Sequence, residues 1–471
     1  MTEQRARTTS VPGLDEKGGT PMAFGVNSSQ RKVSMDGSVH PDFYPVAETL
    51  RTLLRDYPGG AGVCVYHQGE CVVDLWGGFK NGEGDPWTRD TMAPSFSTTK
   101  GVASTLLHIV ADRGLLDYDD RVATYWPEFG RAGKERITIR HVLAHQSGLY
   151  HIRQMIDEAD RMRDWNHMIH AIERTPPIHE PGTRTGYHGL TYGFLVGEIL
   201  QRVTGRPFAE LVQEELVKPL QLDGMYIGAS KEALRRAAKL IWPRRGLLGL
   251  ATPLGLDTGP LTDAAKRAAS VLRWALRVPG IELDVESILD ALAPRGISSF
   301  DFSADDTLKV AIPAANGLFT ARSLARMYAA LAGGGEIDGV RIMSRRTLMR
   351  ASQVQRRPRS ILVIPFDMRW RLGYHGVATT RGIPGEAFGH FGFGGSGAWA
   401  DPERNMAVGL IVNSGMGTPF GDTRILRISG AALDCVNRRP TRVYGRVAGH
   451  NTRQRKGRSS WFPGLNLLVS R

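Results

Sequence analysis

Cysteine is scarce, with three in 471 residues, at positions 64, 71 and 435. Three thiols exclude a disulfide-stapled scaffold and a zinc site built from four cysteines. Cys64 and Cys71 fall in an apolar alternating stretch and read as reduced core thiols, which suits a reducing compartment. Long apolar runs are missing as well. No uncharged stretch reaches the 18 or so residues that a membrane span needs, and Gly246 to Leu256 is too short. The opening MTEQRARTTSVPGLDEKGG is polar, without the apolar core of a secretory signal. These absences set the expectation of a cytoplasmic protein, either free or resting on a membrane surface. The 13 histidines form no HExxH or other close ligand set, and there is neither a P-loop nor a dinucleotide fingerprint. No metal and no cofactor are expected.

Acidic residues are absent from one region altogether. Residues 436–471 hold nine Lys/Arg and no Asp or Glu, and residues 231–280 hold ten Lys/Arg against three acids. Since the net charge is +13, the rest of the chain stands at −3. The bulk is slightly acidic with two basic appendages, unlike the footprint of a nucleic-acid binder, so no nucleic-acid partner is expected. Hydrophobic residues at 41% and charged residues at 23% are globular values, which excludes a wholly disordered or coiled-coil chain.

Residues 1–40, polar and without periodicity, read as a disordered arm. Order begins near Pro41. Val46, Leu50, Leu53 and Leu54 share one face of a helix over Tyr44 to Asp56. GGAGVCVYHQGECVVDLWGG alternates about Gln68-Gly69 and reads as a hairpin. Helical periodicity takes over from Pro94 and runs, with loops, to about 305, with an insertion at 229–305. Within that insertion, Leu261 to Val278 is a basic amphipathic helix. It reads either as a surface helix or as a lid or patch on anionic lipid. Phe388 to Asn413 holds two strand-like runs, and Arg424 to Asp434 a closing helix. The fold class is therefore α/β: an antiparallel β-sheet (about 41–93 and 306–435) flanked by helices, with an inserted all-helical subdomain (94–305). The basic tail, 436–471, reads as a solvated extension or as a salt-sensitive contact with an anionic membrane, at about 1 kcal/mol per basic residue. The oligomeric state is not legible.

The chemistry centres on Ser97-Thr98-Thr99-Lys100. Residues three apart share a helix face, so a serine at a helix start meets a lysine one turn on. Serine needs a base within hydrogen-bond reach, and burial lowers the pKa of a lysine enough to serve. Ser29 to Lys32 has the same spacing but lies in the polar arm with no apolar helix behind it. Tyr187 follows in PGTRTGYHGLTYGFLVGEIL, a loop entering an apolar helix. Then comes FGHFGFGG, residues 388–395, a glycine-rich strand able to offer backbone N–H groups to a ligand. Ser396 nearly matches a nucleophile elbow but continues into a strand, and His145 in LAHQSGL sits at a turn; both read as structural.

Taken in order, SFSTTKG, LAHQSGL, PGTRTGYH, PAANGLFTARSLARMYAALAGGG and FGHFGFGGSGAWADPE resemble the serine β-lactamase-like superfamily. Within it, the chain is most similar to family VIII carboxylesterases. The resemblance runs from about Pro41 to Cys435. It implies Ser97 as acylated nucleophile, with Lys100 and Tyr187 as proton-transfer partners. It implies an oxyanion hole from the backbone N–H groups of Ser97 and Phe393, and substrate contacts from His390 and Gly392; His188 either faces the pocket as a further contact or stabilises its loop. Two departures stand out. Gly189 replaces the asparagine of penicillin-recognising members, and His390 replaces a lysine. Both argue for a small-molecule ester over β-lactams or peptides. The alternatives are a β-lactamase, a D-Ala-D-Ala peptidase or an acyltransferase of the same fold, and a binding module that keeps the pocket without turnover.

Overall fold

The structure is a computed structural model that describes residues 34–241, 285–356, 360–364, 367–415 and 422–438. The basic helix expected at 261–278, the tail beyond 438 and residues 1–33 of the arm lie outside the described residues.

Strands from two distant stretches of chain make one antiparallel sheet. The first stretch supplies Met35–Val39 (β1), Gly60–His67 (β2) and Glu70–Gly78 (β3). The second supplies His375–Gly376 (β11), Phe388–Phe391 (β12), Gly397–Asp401 (β13) and Met406–Val412 (β14). Their order is β1-β3-β2-β14-β13-β12-β11. β2 and β14, far apart in sequence, pair at the centre, with Val63 opposite Leu410 and Val65 opposite Val408.

The helices that frame the sheet and the site include Tyr44–Asp56 (α1), Thr98–Asp112 (α2), Ile139–Leu143 (α3), Thr191–Thr204 (α4), Val285–Leu292 (α5), Ala321–Ala332 (α6) and Arg424–Arg438 (α7). α1 and α7 cover one face of the sheet, closing over Val63, Val65, Leu75, Val408 and Leu410. The other face, with Cys64, Ala398 and Ala400, joins a core shared with α2 and α6. Both faces are thus buried, which is why β14 is apolar at every position rather than alternating. α6 comes down onto β14 at Gly409. A Cβ there would stand 2.6 Å from the Ala321 carbonyl and 3.0 Å from the Ala325 nitrogen. α2 is buried from Thr98 to Val110, the pattern of a helix packed on all sides.

Four expectations are corrected. The arm does not run to residue 40, because Met35–Val39 pairs with β3 along its length, from Met35 opposite Gly77 to Val39 opposite Val73. An edge strand held by backbone hydrogen bonds, with its side chains half-buried or exposed, leaves no apolar pattern to read. The Phe388 to Asn413 region is three strands, since the glycine turn after Phe391 divides β12 from β13. The helical subdomain is not all helical. Arg184–Gly186 (β5) pairs in parallel with Ser360–Leu362 (β10), and Met225–Tyr226 (β6) pairs with Leu318–Phe319 (β7), which also pairs with Ala93–Pro94 (β4). These two- and three-residue strands are too short to show a period. A further small hairpin joins Glu336–Ile337 (β8) to Val340–Arg341 (β9). Lastly, Cys71 is exposed, although its Sγ lies 3.6 Å from that of buried Cys64. Both thiols are free.

Buried histidines give the fold a pH limit. Burial pulls His108 and His375 from 6.5 to about 4, and His188 to about 3. The unfolded chain therefore takes up these protons first as pH falls. The stability they carry is complete above 6.5 and is lost progressively towards pH 4. Melting temperature measured between pH 7.5 and 5, above the carboxylate range, is expected to fall steadily below 6.5; a level profile would contradict this.

Candidate active site

Ser97 sits at the mouth of α2, immediately after β4 and a sharp turn. Phe96 has φ +46°, a left-handed conformation that is strained for an aromatic residue. Its ring is held edge-on between Phe302 and Phe393, at centroid distances of 5.2 and 5.5 Å. The turn is also laced to the loop before β7. Ser95 N and Oγ both donate to the Gly317 carbonyl, at 3.0 and 2.9 Å, and Gly317 N donates to Thr99 Oγ1 at 2.9 Å. The serine is thereby projected from a rigid corner.

Lys100 lies one turn along α2 and is fully buried. Its Nζ has three hydrogen-bond partners among the described residues: Ser97 Oγ at 3.0 Å, the Gly189 carbonyl at 2.7 Å and the Ala314 carbonyl at 2.9 Å. None is a carboxylate. Burial alone holds its pKa well below the ordinary lysine value. The Ala314 carbonyl is fixed by Asn316, whose Oδ1 accepts from Ile312 N and whose Nδ2 donates to the Thr307 and Val310 carbonyls. That is the physical content of the PAANG segment.

Tyr187 closes the group. Its Oη donates to Ser97 Oγ at 2.8 Å, and Lys100 Nζ lies 5.1 Å from its ring centroid. Burial raises its pKa, keeping the phenol protonated. The ring is stacked on Trp370, centroids 5.6 Å apart with 12° between planes, and touches His145 at 5.0 Å. His145, at φ +58° just beyond α3, also fixes the backbone on both sides of Tyr187. Its carbonyl accepts from Gly186 N at 2.9 Å and its Nδ1 accepts from His188 N at 3.2 Å.

The structure thus brings Ser97, Lys100 and Tyr187 into one hydrogen-bonded cluster. Gly392 lies against the same corner: a Cβ there would stand 2.2 Å from the Ser95 carbonyl and 2.9 Å from Thr98 Oγ1. Phe393, whose ring packs on Phe96, places the end of β12 beside the serine. His390 is buried, and its Nδ1 donates to the Phe391 carbonyl at 3.1 Å. Burial, then the neighbouring His375 and Lys100, keeps it neutral. Its Nε2 has no partner among the described residues. His375 supports that strand, its Nε2 accepting from Phe391 N at 2.9 Å while its Nδ1 donates to the Gly376 carbonyl.

Of the two places open to His188, the structure gives it the one that stabilises its loop. Its Nδ1 donates to the Gly186 carbonyl at 2.7 Å, and its Nε2 accepts from Ser147 Oγ at 2.6 Å and Leu149 N at 3.3 Å. Nε2 thus holds the loop after α3, and Nδ1 holds the end of β5. Sequence reasoning missed Trp370, which falls in no periodic element, and the carbonyls of Gly189 and Ala314, whose role carries no side-chain signature.

Residues 49–433 match the family Beta-lactamase. The chain is 36% identical over 386 residues to Esterase/beta-lactamase LipL of Mycobacterium tuberculosis, covering 80% of this chain and 82% of that protein. The crystal structure of a family VIII carboxylesterase superposes with a TM-score of 0.72 at 30% identity, covering 85% of this chain and all of that one. A penicillin-binding protein homologue from Caulobacter crescentus gives 0.70 at 33%, with the same coverage. With that match across most of its length, and with serine, lysine and tyrosine converging at the start of α2, the chain belongs to the β-lactamase family and is a hydrolase of that fold.

Proposed function

We infer that this hydrolase cleaves carboxylic esters through an acyl group on Ser97. The observation that carries the reading is the arrangement around Lys100 Nζ. Two backbone carbonyls occupy two of its directions and Ser97 Oγ the third. In its neutral form the amine donates both N–H groups to the carbonyls and turns its lone pair to the serine hydroxyl. Ser97 gives its proton to that lone pair as Oγ attacks the ester carbon. Tyr187 Oη, in contact with Ser97 Oγ, then protonates the departing alkoxide and draws its replacement from Lys100. Water reverses the sequence and releases the acid. The N–H groups of Ser97 and Phe393 receive the oxyanion, a contribution of about 3 kcal/mol per donor in comparable sites.

Two features favour an ester over a β-lactam or peptide. Position 189 has no side chain to bind an amide, and His390 is neutral and so offers no charge to a substrate carboxylate. An alkoxide also leaves with less assistance than an amine. The name of the carboxylesterase structure agrees with this reading, and the name of LipL joins esterase and β-lactamase.

Hydrolysis of p-nitrophenyl esters from acetate to octanoate is the test, with a chromogenic cephalosporin alongside. Wild type is expected to turn over esters in preference, and Ser97→Ala to fall to background. Equal, slow rates from both would overturn the reading, as would preferential cephalosporin turnover. Lys100→Met is expected to lose roughly 10²–10⁴-fold in kcat, the range for a general base. Tyr187→Phe should lose a comparable factor on acetate esters of simple alkanols, whose alkoxide must be protonated to leave, and less on p-nitrophenyl esters or in fluorophosphonate labelling, whose leaving groups depart as stable anions.

A further inference from the structure

Gly189 is the position where penicillin-recognising relatives carry asparagine, and here it has no room for any side chain. A Cβ at 189 would stand 2.2 Å from Leu292 Cδ2 and 2.6 Å from the Ala291 carbonyl. Leu292 could swing aside, but the Ala291 carbonyl belongs to the backbone of α5. That helix is fastened in place. Arg153, itself buried, donates to the Ala293 carbonyl at 2.7 Å, and Gln154 donates to Asp290. The carbonyl of Gly189 holds Lys100 Nζ, so Leu292 lies against the backbone that grips the catalytic amine.

The surroundings are apolar. Leu292 and Ile288, one turn apart on α5, are half-buried and pack with Tyr150, Tyr187, Ile364 and Trp370 in a cluster separate from the main core. Tyr187 belongs to this cluster and to the catalytic group at once. α5 has therefore replaced a polar contact above residue 189 with a methyl-lined wall.

We propose that Leu292 is a specificity-determining residue: its side chain, standing where a side chain of residue 189 would project, lines the subsite that receives an apolar group of the substrate. This rests on the ester-hydrolase reading. A wall of branched carbon favours aliphatic groups by burial. It offers nothing to an amide, whose N–H and C=O would be stripped of water without replacement. The size of the residue at 292 then sets how long an aliphatic chain fits.

The test measures kcat/KM over two series, p-nitrophenyl esters of rising acyl length and acetate esters of rising alcohol length. Wild type is compared with Leu292→Ala and Leu292→Phe. The ratio of long to short substrate is expected to rise on the order of tenfold in Leu292→Ala and to fall by a similar factor in Leu292→Phe. The series that responds shows which half of the ester lies on the wall. Leu292→Val, a smaller truncation, carries the same prediction should the alanine variant fail to fold. Unchanged ratios in both series, with wild-type melting temperatures, would overturn the proposal. So would a displaced pH profile without a change in ratio, because Leu292 would then serve only to keep water from Lys100. If wild type hydrolyses no ester, the ester-hydrolase reading fails and this one falls with it.

Discussion

The structure depends on keeping one amine dry. A lysine in water is a cation, and the role proposed for Lys100, as the base for Ser97, requires its neutral form. Its surroundings are arranged to that end. The side chain is fully buried on α2, its hydrogen-bond partners are two carbonyls and a hydroxyl, and none of these partners is an acid that would stabilise a charge. The choice of carbonyls is specific. A carboxylate would hold the ammonium form, whereas carbonyls orient a neutral amine without raising its pKa much.

Several otherwise unrelated features follow from that constraint. Asn316 bonds three backbone groups so that the Ala314 carbonyl points at Nζ. Leu292 lies against Gly189, on the backbone that holds Nζ. His145, His188 and Trp370 set the backbone and ring of Tyr187, so that a bulky phenol reaches Ser97 Oγ without admitting solvent. The histidines around the site are themselves neutral for the same reason. His188 and His375, with pKa values of about 3 and about 4, are neutral hydrogen-bonding spacers near pH 7. A site built from buried neutral groups is stable near neutral pH and fragile in acid.

Much of this was legible in the sequence where side-chain pattern and chemistry coincide. The Ser97–Lys100 spacing, the α1 periodicity and the Gln68-Gly69 hairpin read directly, and the order of motifs pointed to Tyr187. Features carried by the backbone did not read. β1 is an edge strand whose pairing needs no apolar residue. β5 pairs with β10 across nearly two hundred residues over three positions. His188 adjoins Tyr187 in sequence, yet its ring turns to the loop after α3, because neighbouring residues in an extended segment point to opposite sides. Gly189 was visible as a missing asparagine, but its cause, the backbone of α5, comes from a hundred residues away.

The central claim is tested most directly by titrating Lys100 itself. Lysine side chains labelled with ¹³C at Cε report protonation by NMR, and Lys100→Met assigns the signal by its loss. A Lys100 resonance that titrates well below the ordinary lysine value of 10.5 is the predicted result. A midpoint at or near 10.5 would mean that the amine is charged at neutral pH, and Lys100 could not then be the base that activates Ser97.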